Sequence, residues 1–238
     1  MNDYSKFVNL LKRKLKLLFK RMKLKPVIWG NLKNTKPFSD IFGYDRGSQS
    51  IARYYVDKFI ESKKEFITGK VLEIGDNIYT KGLGTNVVLS DILHVTEGNP
   101  KATIIADLTN ADHLPSDFYD CVILTQTLNF IYDYHSALKH VHRIIKPNGK
   151  LIVTLSGISQ ISSYDMCRWG DYWRFTTLSS EKIFREFFNK DRIEVKSCGN
   201  VLAAISFMEG ISSRELKKSE LDFNDPNYQI IITVIAEK

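Results

Sequence analysis

The stretch VLEIGDN, residues 71–77, ends an apolar run with an acid and a glycine, Glu73 and Gly75, followed by Asp76 and Asn77. A glycine at the end of a buried strand lets the backbone approach a bound group closely. A further carboxylate, Asp91, stands 18 residues after Glu73, near the spacing of about 20 at which nucleotide-binding folds place an acid to accept both ribose hydroxyls. Glu97 competes for that part if the second apolar run extends through Val95. A pyrophosphate site would need Gly-x-Gly-x-x-Gly. Here the next glycines are Gly82 and Gly84, at the wrong spacing, which disfavours a nicotinamide cofactor.

A second concentration of reactive side chains lies in SGISQISSYDMCRWGDYWRFT, residues 156–176. The faces of Tyr164, Trp169, Tyr172 and Trp173 can stack on sugar rings, and Arg168 and Arg174 can bind hydroxyls or anions. The competing reading makes Trp169, Tyr172, Trp173 and Phe175 a hydrophobic plug over a sheet edge. Three side chains could take a proton from a hydroxyl: Asp171, which we favour, and Asp165 and His135. His140 and His142 flank Val141 on a core-facing helix, and no histidines cluster with acids at ligand spacing, so no metal site is expected.

These groups need a scaffold. KVLEIG (70–75), TNVVLSDI (85–92), ATIIADL (102–108), YDCVILTQ (119–126) and GKLIVTLS (149–156) read as strands, several of them apolar on both faces, as in a parallel sheet covered on both sides. RIEVKSCG (192–199) and YQIIITVIAEK (228–238) add two late strands. Helices are expected at 48–62, over DYHSALKHVHRII before Pro147 and Gly149, and at 179–188 with Ser179 or Ser180 as cap. The pattern predicts an open, mostly parallel seven-stranded α/β sheet with an antiparallel last strand.

Length and composition agree. The 238 residues, 43% hydrophobic, suffice for one sizeable domain. Cys121, Cys167 and Cys198 form neither a C-x-x-C pair nor a disulfide framework, which fits a reducing, cytoplasmic location. Net charge is +7, but residues 1–25 hold nine Lys/Arg against Asp3, while the other 213 hold 25 basic and 26 acidic side chains. All the excess sits on one arm, so nucleic acid is not expected as a partner. In that arm Phe7, Leu11, Leu15, Leu18 and Met22 recur at helical spacing, and its apolar runs are too short for a secretory core or a membrane span. Residues 6–25 are expected to form a basic amphipathic helix that lies on an anionic membrane surface or packs on protein. Pro26, Gly30 and Pro37 punctuate a linker, with 26–62 serving as linker and cap helix and 63–238 as the main domain.

The order of these signals resembles the S-adenosylmethionine-dependent methyltransferases of the Rossmann-like, seven-stranded class over residues 44–238. VLEIGD is similar to their first motif, IIADLTNADHLPSDFYDCVILTQTL to the block of third strand, acidic loop and fourth strand, and HRIIKPNGKLIVTL to the crossover into strand five. GYDRG…RYY and YDMCRWGDYWRFT further resemble bacterial members associated with glycan and cell-surface polysaccharide synthesis. The family pattern acidic-x-Gly-x-Gly loses its second glycine here, and Asn77 is expected to supply the left-handed geometry instead. The resemblance implies S-adenosylmethionine as cofactor, Asp107 accepting from the adenine amino group, Leu108 contacting the ring, and Glu73 fixing the loop or the methionine ammonium. Gln126 and Asn129, after strand four, face the pocket in that reading, and the N/D-P-P-Y/F tetrad of base-methylating enzymes is absent. Arg46 is expected to clamp the methionine carboxylate, unless it pairs with Asp45, and Arg53 and Tyr54 to close over the site. The expected reaction is methylation of a hydroxyl on a sugar or glycan precursor. A non-catalytic binding module, and methylation of a small metabolite or lipid, are the alternatives.

Overall fold

The computed structural model describes residues 11–15 and 30–238. It divides into two units, 1–36 and 37–238. In the first, residues 11–15 are helical and Gly30–Lys33 forms a 3-10 turn; the rest of the expected basic helix lies outside the described residues. Among the described residues no helix is long and apolar enough to cross a membrane. The second unit begins at Pro37 and contains the cap helix as well as the sheet.

Seven strands build one sheet: β1 Gly69–Ile74, β2 Val87–His94, β3 Ile104–Ile105, β4 Tyr119–Thr125, β5 Ile145–Ser156, β6 Ile193–Cys198 and β7 Ile231–Glu237, in the order β3-β2-β1-β4-β5-β7-β6. β1 to β5 run parallel, and β7 is antiparallel to both neighbours. Alternation along the strands supplies two cores. Leu72, Val122, Leu124 and Val153 face one side, with Leu138 and Val141 of a helix at Tyr134–Ile144 and Phe184 of another at Thr177–Phe184. Val71, Cys121, Ile123 and Ile152 face the other, with Ile51 and Tyr55 of a helix at Ile51–Glu61 and Ala203 and Phe207 of one at Val201–Met208. Each fully buried aliphatic side chain contributes about 1.5–3 kcal/mol. In chain order these helices are α1 (Ile51–Glu61), α2 (Ile78–Leu83), α3 (Tyr134–Ile144), α4 (Thr177–Phe184) and α5 (Val201–Met208).

Local chemistry sets the boundaries. Ser50 caps α1 by accepting from the Arg53 N–H, and Asp133 caps α3 through Ser136. The cap of α4 is Thr176, reciprocated by Ser179, so the helix starts earlier than expected from Ser179 or Ser180. β5 starts at Ile145, pairs with Tyr119, and resumes pairing at Lys150, leaving Lys146–Gly149 as a bulge in which Asn148 has φ 65°. β2 runs on to His94, whose partner is Ile105, and β3 is only two residues long. The crossover between β2 and β3 contains no helix.

Candidate functional site

The strand order turns at β1, with β2 and β3 on one side and β4 and β5 on the other. In open α/β sheets the crevice beyond the carboxyl ends at such a point receives ligands. Gly75 leaves β1 there with φ 80°, the left-handed region that favours glycine. Its N–H continues the ladder to the Leu93 carbonyl at 2.9 Å. A Cβ built on it would meet nothing within 4 Å, so the backbone opens onto free space. Asn77 does not take the left-handed part expected of it: its φ is −114°. Its amide donates to Ser90 Oγ at 2.9 Å instead, and Gly75 alone makes the turn.

Glu73 is buried, and its carboxylate accepts from the backbone of Tyr79 and Thr80, at 3.2 and 3.0 Å, and from the Thr80 hydroxyl at 2.8 Å. It anchors the first turn of α2. Burial raises its pKa against the opposing hydrogen bonds from Thr80 and Tyr79. Asp76 accepts from the Asn77 N–H and from Lys101 Nζ at 2.7 Å. Asn99 donates to the Gly75 carbonyl at 2.6 Å, so the loop after β2 braces the glycine loop. Neither Asn99 nor Lys101 stands out in the sequence, because polar residues in a loop carry no periodicity.

The two candidate ribose acids stand in different places. Asp91 pairs in register with Leu72, well inside β2, and both its oxygens are taken, by Thr103 Oγ at 2.8 Å and Tyr119 OH at 3.0 Å. It ties strands together on one sheet face and does not reach the carboxyl edge. β2 ends at His94, and the exposed Glu97 lies in the loop beyond it. Asp107 follows β3 at that edge and caps the turn Leu108–Asn110, with Oδ1 accepting from the backbone and hydroxyl of Thr109. Its Oδ2 takes no hydrogen bond among the described residues. Leu108 is buried beneath it.

Beyond β4, Gln126 has φ 50°, unusual for a side chain of its size. Its N–H bonds to the Thr154 carbonyl at 2.9 Å, and its Oε1 accepts from Ser156 Oγ on β5. Its Nε2 is buried without a partner among the described residues, as is Oδ1 of the buried Asn129. Buried polar atoms without partners are rare. Gln126 thus combines left-handed backbone with a buried unpaired donor, and Asn129, three residues on, holds a buried unpaired acceptor.

The 157–175 loop spans this edge. Tyr172 and Trp173 donate their N–H groups to the Asn129 carbonyl at 2.9 and 3.2 Å, above β4. Trp169 meets His94, at the end of β2, edge to face with centroids 5.5 Å apart. Trp173 belongs to the plug: its indole donates to the Ile131 and Tyr132 carbonyls, its ring stacks on Tyr132, and buried Phe175 lies beneath Tyr134. Tyr172 stays half exposed against Tyr132, and Arg168 lies over the exposed Tyr164 ring at 3.5 Å.

Several expected site residues have structural partners instead. Asp171 is engaged in an ion pair. It accepts from both terminal nitrogens of Arg174 and from the Ser162 N–H; burial would raise its pKa, but these bonds outweigh it and hold the carboxyl low. Arg174 is thereby committed to the loop. His135 pairs with Glu186 at 3.2 Å and packs on Phe187, both just past the end of α4. Asp165 accepts from Ser162 Oγ at 2.6 Å through Oδ2 alone. Arg46 is held bidentately by Glu215 at 2.8 and 2.6 Å, and Asp45 accepts from Ser39 instead. Tyr54 donates to Asp222 at 2.5 Å. Arg53 donates to Tyr79 OH at 2.7 Å, above the first turn of α2.

A turned-out glycine, an acid after β2, an acid after β3 and unpaired polar atoms after β4, at the carboxyl edge of a 3-2-1-4-5-7-6 sheet, define a Rossmann-like S-adenosylmethionine-dependent methyltransferase. Residues 34–195 match the family model described as a methyltransferase domain, and the chain belongs to that family. It is similar to the ubiquinone/menaquinone biosynthesis C-methyltransferase of Haemophilus ducreyi, with 41% identity over 46 residues, 18% of this chain and only 18% of that protein. Similar solved structures include an S-adenosylmethionine-dependent methyltransferase of Mesorhizobium loti (TM-score 0.52, 17% identity, 76% of this chain and 96% of that one). Another, from Archaeoglobus fulgidus, has a TM-score of 0.51 and 13% identity over 78% and 94% of the two chains. At such identities the likeness is one of fold.

Proposed function

We propose that the chain transfers a methyl group from S-adenosylmethionine to a hydroxyl of a sugar or glycan precursor. The observation that carries the acceptor class is the rim of the 157–175 loop, where half-exposed Tyr172 with Tyr132, and Tyr164 under Arg168, present aromatic faces and a cation beside the cofactor crevice. Aromatic faces suit the apolar faces of sugar rings, and a guanidinium suits their hydroxyls or an attached phosphate.

On this reading Gly75 leaves room for the amino-acid end of the cofactor, Glu97 accepts the ribose hydroxyls and the free Oδ2 of Asp107 accepts the adenine amino group beside Leu108. When bound, the cofactor supplies an electrophilic methyl group on a sulfonium. Gln126 Nε2 would donate to the acceptor oxygen and help to position it, leaving the hydroxyl proton for a base. Of the three bases considered, Asp165 alone stands on the loop at this edge with a carboxylate oxygen that takes no hydrogen bond among the described residues. The basic arm, net +8 over residues 1–25, would bring the enzyme to an anionic membrane surface where lipid-linked glycans are assembled, on its cytoplasmic side.

The test is transfer of labelled methyl from S-adenosylmethionine to lipid-linked and free glycan acceptors, with titration calorimetry of the cofactor alongside. Labelled glycan that is lost in Tyr172→Ala, with cofactor binding intact, supports the acceptor class. Label only in a small metabolite or a lipid moves the acceptor. A folded chain that binds no cofactor returns the non-catalytic reading.

A further inference from the structure

We propose that the rim around the crevice is a bilayer-docking face, which sets the site down on an anionic membrane; this deepens, and rests on, the membrane reading above. α5 leaves β6 at the carboxyl edge and packs Ala203, Ala204 and Phe207 inward. Its other side presents Val201, Leu202, Ile205 and Met208, each more than two-fifths exposed, at the i, i+1, i+4, i+7 spacing of one helical stripe.

That stripe continues into neighbouring segments. The N–H groups of Phe38 and Ser39 bond to the Glu209 carbonyl, just past the end of α5, at 2.9 and 3.3 Å. Phe38 and Ile41 are both exposed there. Gln160 then donates to the Asp40 carbonyl at 3.2 Å, joining this segment to the loop after β5, where Ile161, Tyr164 and Met166 are exposed. Exposed apolar side chains from three connections thus surround one end of the sheet, the end that holds the crevice. Patches of this kind mark interaction surfaces, and tyrosines among aliphatic side chains suit the boundary between headgroups and acyl chains.

Charge selects the occupant. Residues 1–25, with net +8, belong to the same chain and are separated from Pro37, where this unit begins, by eleven residues. A second copy would add a second arm of the same charge to the assembly, which repulsion opposes. An anionic bilayer offers something to each part of the chain separately, charge attraction to the arm and shallow burial to the apolar side chains of the rim.

The experiment sediments the full chain with phosphatidylcholine/phosphatidylglycerol vesicles, at low salt and at about 0.5 M salt, where attraction between exposed charges is screened within a few ångströms. Wild type is compared with the double variant Leu202→Glu, Ile205→Glu. In parallel, a polarity-sensitive dye is placed on Cys167, an exposed thiol on the rim. The expected result is at least tenfold weaker high-salt binding by the variant, and a blue shift of the dye when wild type meets vesicles. If wild type binds but the dye stays silent and the variant binds equally, this face is excluded and the arm alone is the tether. Wild type that binds at neither salt removes the membrane reading itself. A dimer of wild type broken by the variant makes the rim a self-interface and overturns the proposal. A variant that fails to fold leaves the decision to the dye on wild type.

Discussion

The Asp171 carboxylate, its side chain only 1% exposed, is gripped by the two terminal nitrogens of Arg174 at 2.5 and 2.9 Å. The pair fastens the 157–175 loop across the sheet edge. Asp171→Asn leaves Arg174 without its counter-charge and should cost about 3 kcal/mol, the low end for breaking a buried pair, since Arg174 keeps part of its hydration. Urea denaturation measures this. Because the carboxyl is held below its ordinary value, its contribution is present above the unfolded-state pKa and is lost as pH falls through the lower folded-state value. Wild type should therefore lose stability on the acid side more steeply than the variant, and residual turnover of the folded variant should keep the wild-type pH profile.

The acids near β2 separate in calorimetry. Glu97→Ala should weaken S-adenosylmethionine binding roughly 10- to 100-fold, the loss of charge-assisted hydrogen bonds of about 1.5–3 kcal/mol. Asp91→Asn should leave affinity near wild type and lower the melting temperature, because its partners are Thr103 and Tyr119. The reverse pattern would return the ribose to Asp91.

Gln126 separates strain from function. A non-glycine residue in left-handed geometry costs about 1–2 kcal/mol, while glycine adds disorder to the unfolded chain worth about 1 kcal/mol. Gln126→Gly should then change stability by no more than about 1 kcal/mol, yet lower turnover at least tenfold through loss of the amide. Equal turnover would remove the side chain from the site.

Arg46→Ala should bind S-adenosylmethionine as wild type does. A double-mutant cycle with Glu215→Ala should show weak, salt-sensitive coupling, as surface pairs do. Reduced cofactor affinity in Arg46→Ala alone would restore the carboxylate clamp.

Trp169 should report occupancy. Its ring lies against His94 beside the proposed ribose acid, so titration with S-adenosylhomocysteine should change the protein's tryptophan fluorescence. Trp169→Phe should abolish most of that change while leaving Trp173, locked to the Ile131 and Tyr132 carbonyls. An unaltered change would place the reporter elsewhere.

The strands were legible because Val71–Leu72, Cys121–Leu124 and Leu151–Val153 are apolar on both faces, a pattern that only a doubly covered sheet explains. Where β2 stops was not legible: pairing of His94 with Ile105 extends it past Asp91, and the next strand's register decides that. The partner of Arg46 lies 169 positions away, beyond any local rule. Asp171 misled for another reason. Its partner is only three residues on, but an exposed base and a buried ion pair have the same letters, and only the course of the loop tells them apart. Asn77 took a hydrogen bond to Ser90 over the left-handed turn that its residue type permits.

β6 lies at the sheet edge and has one neighbour, β7, which also fills the gap beside β5. During synthesis β6 emerges before that neighbour exists, so five strands can assemble while the sixth waits unpaired. Glu194 and Lys196, alternating on β6, discourage capture by another chain in that interval. Arrival of β7 closes both seams together, a non-local step that should be slow compared with local structure and that makes completion of the sheet a late event in folding.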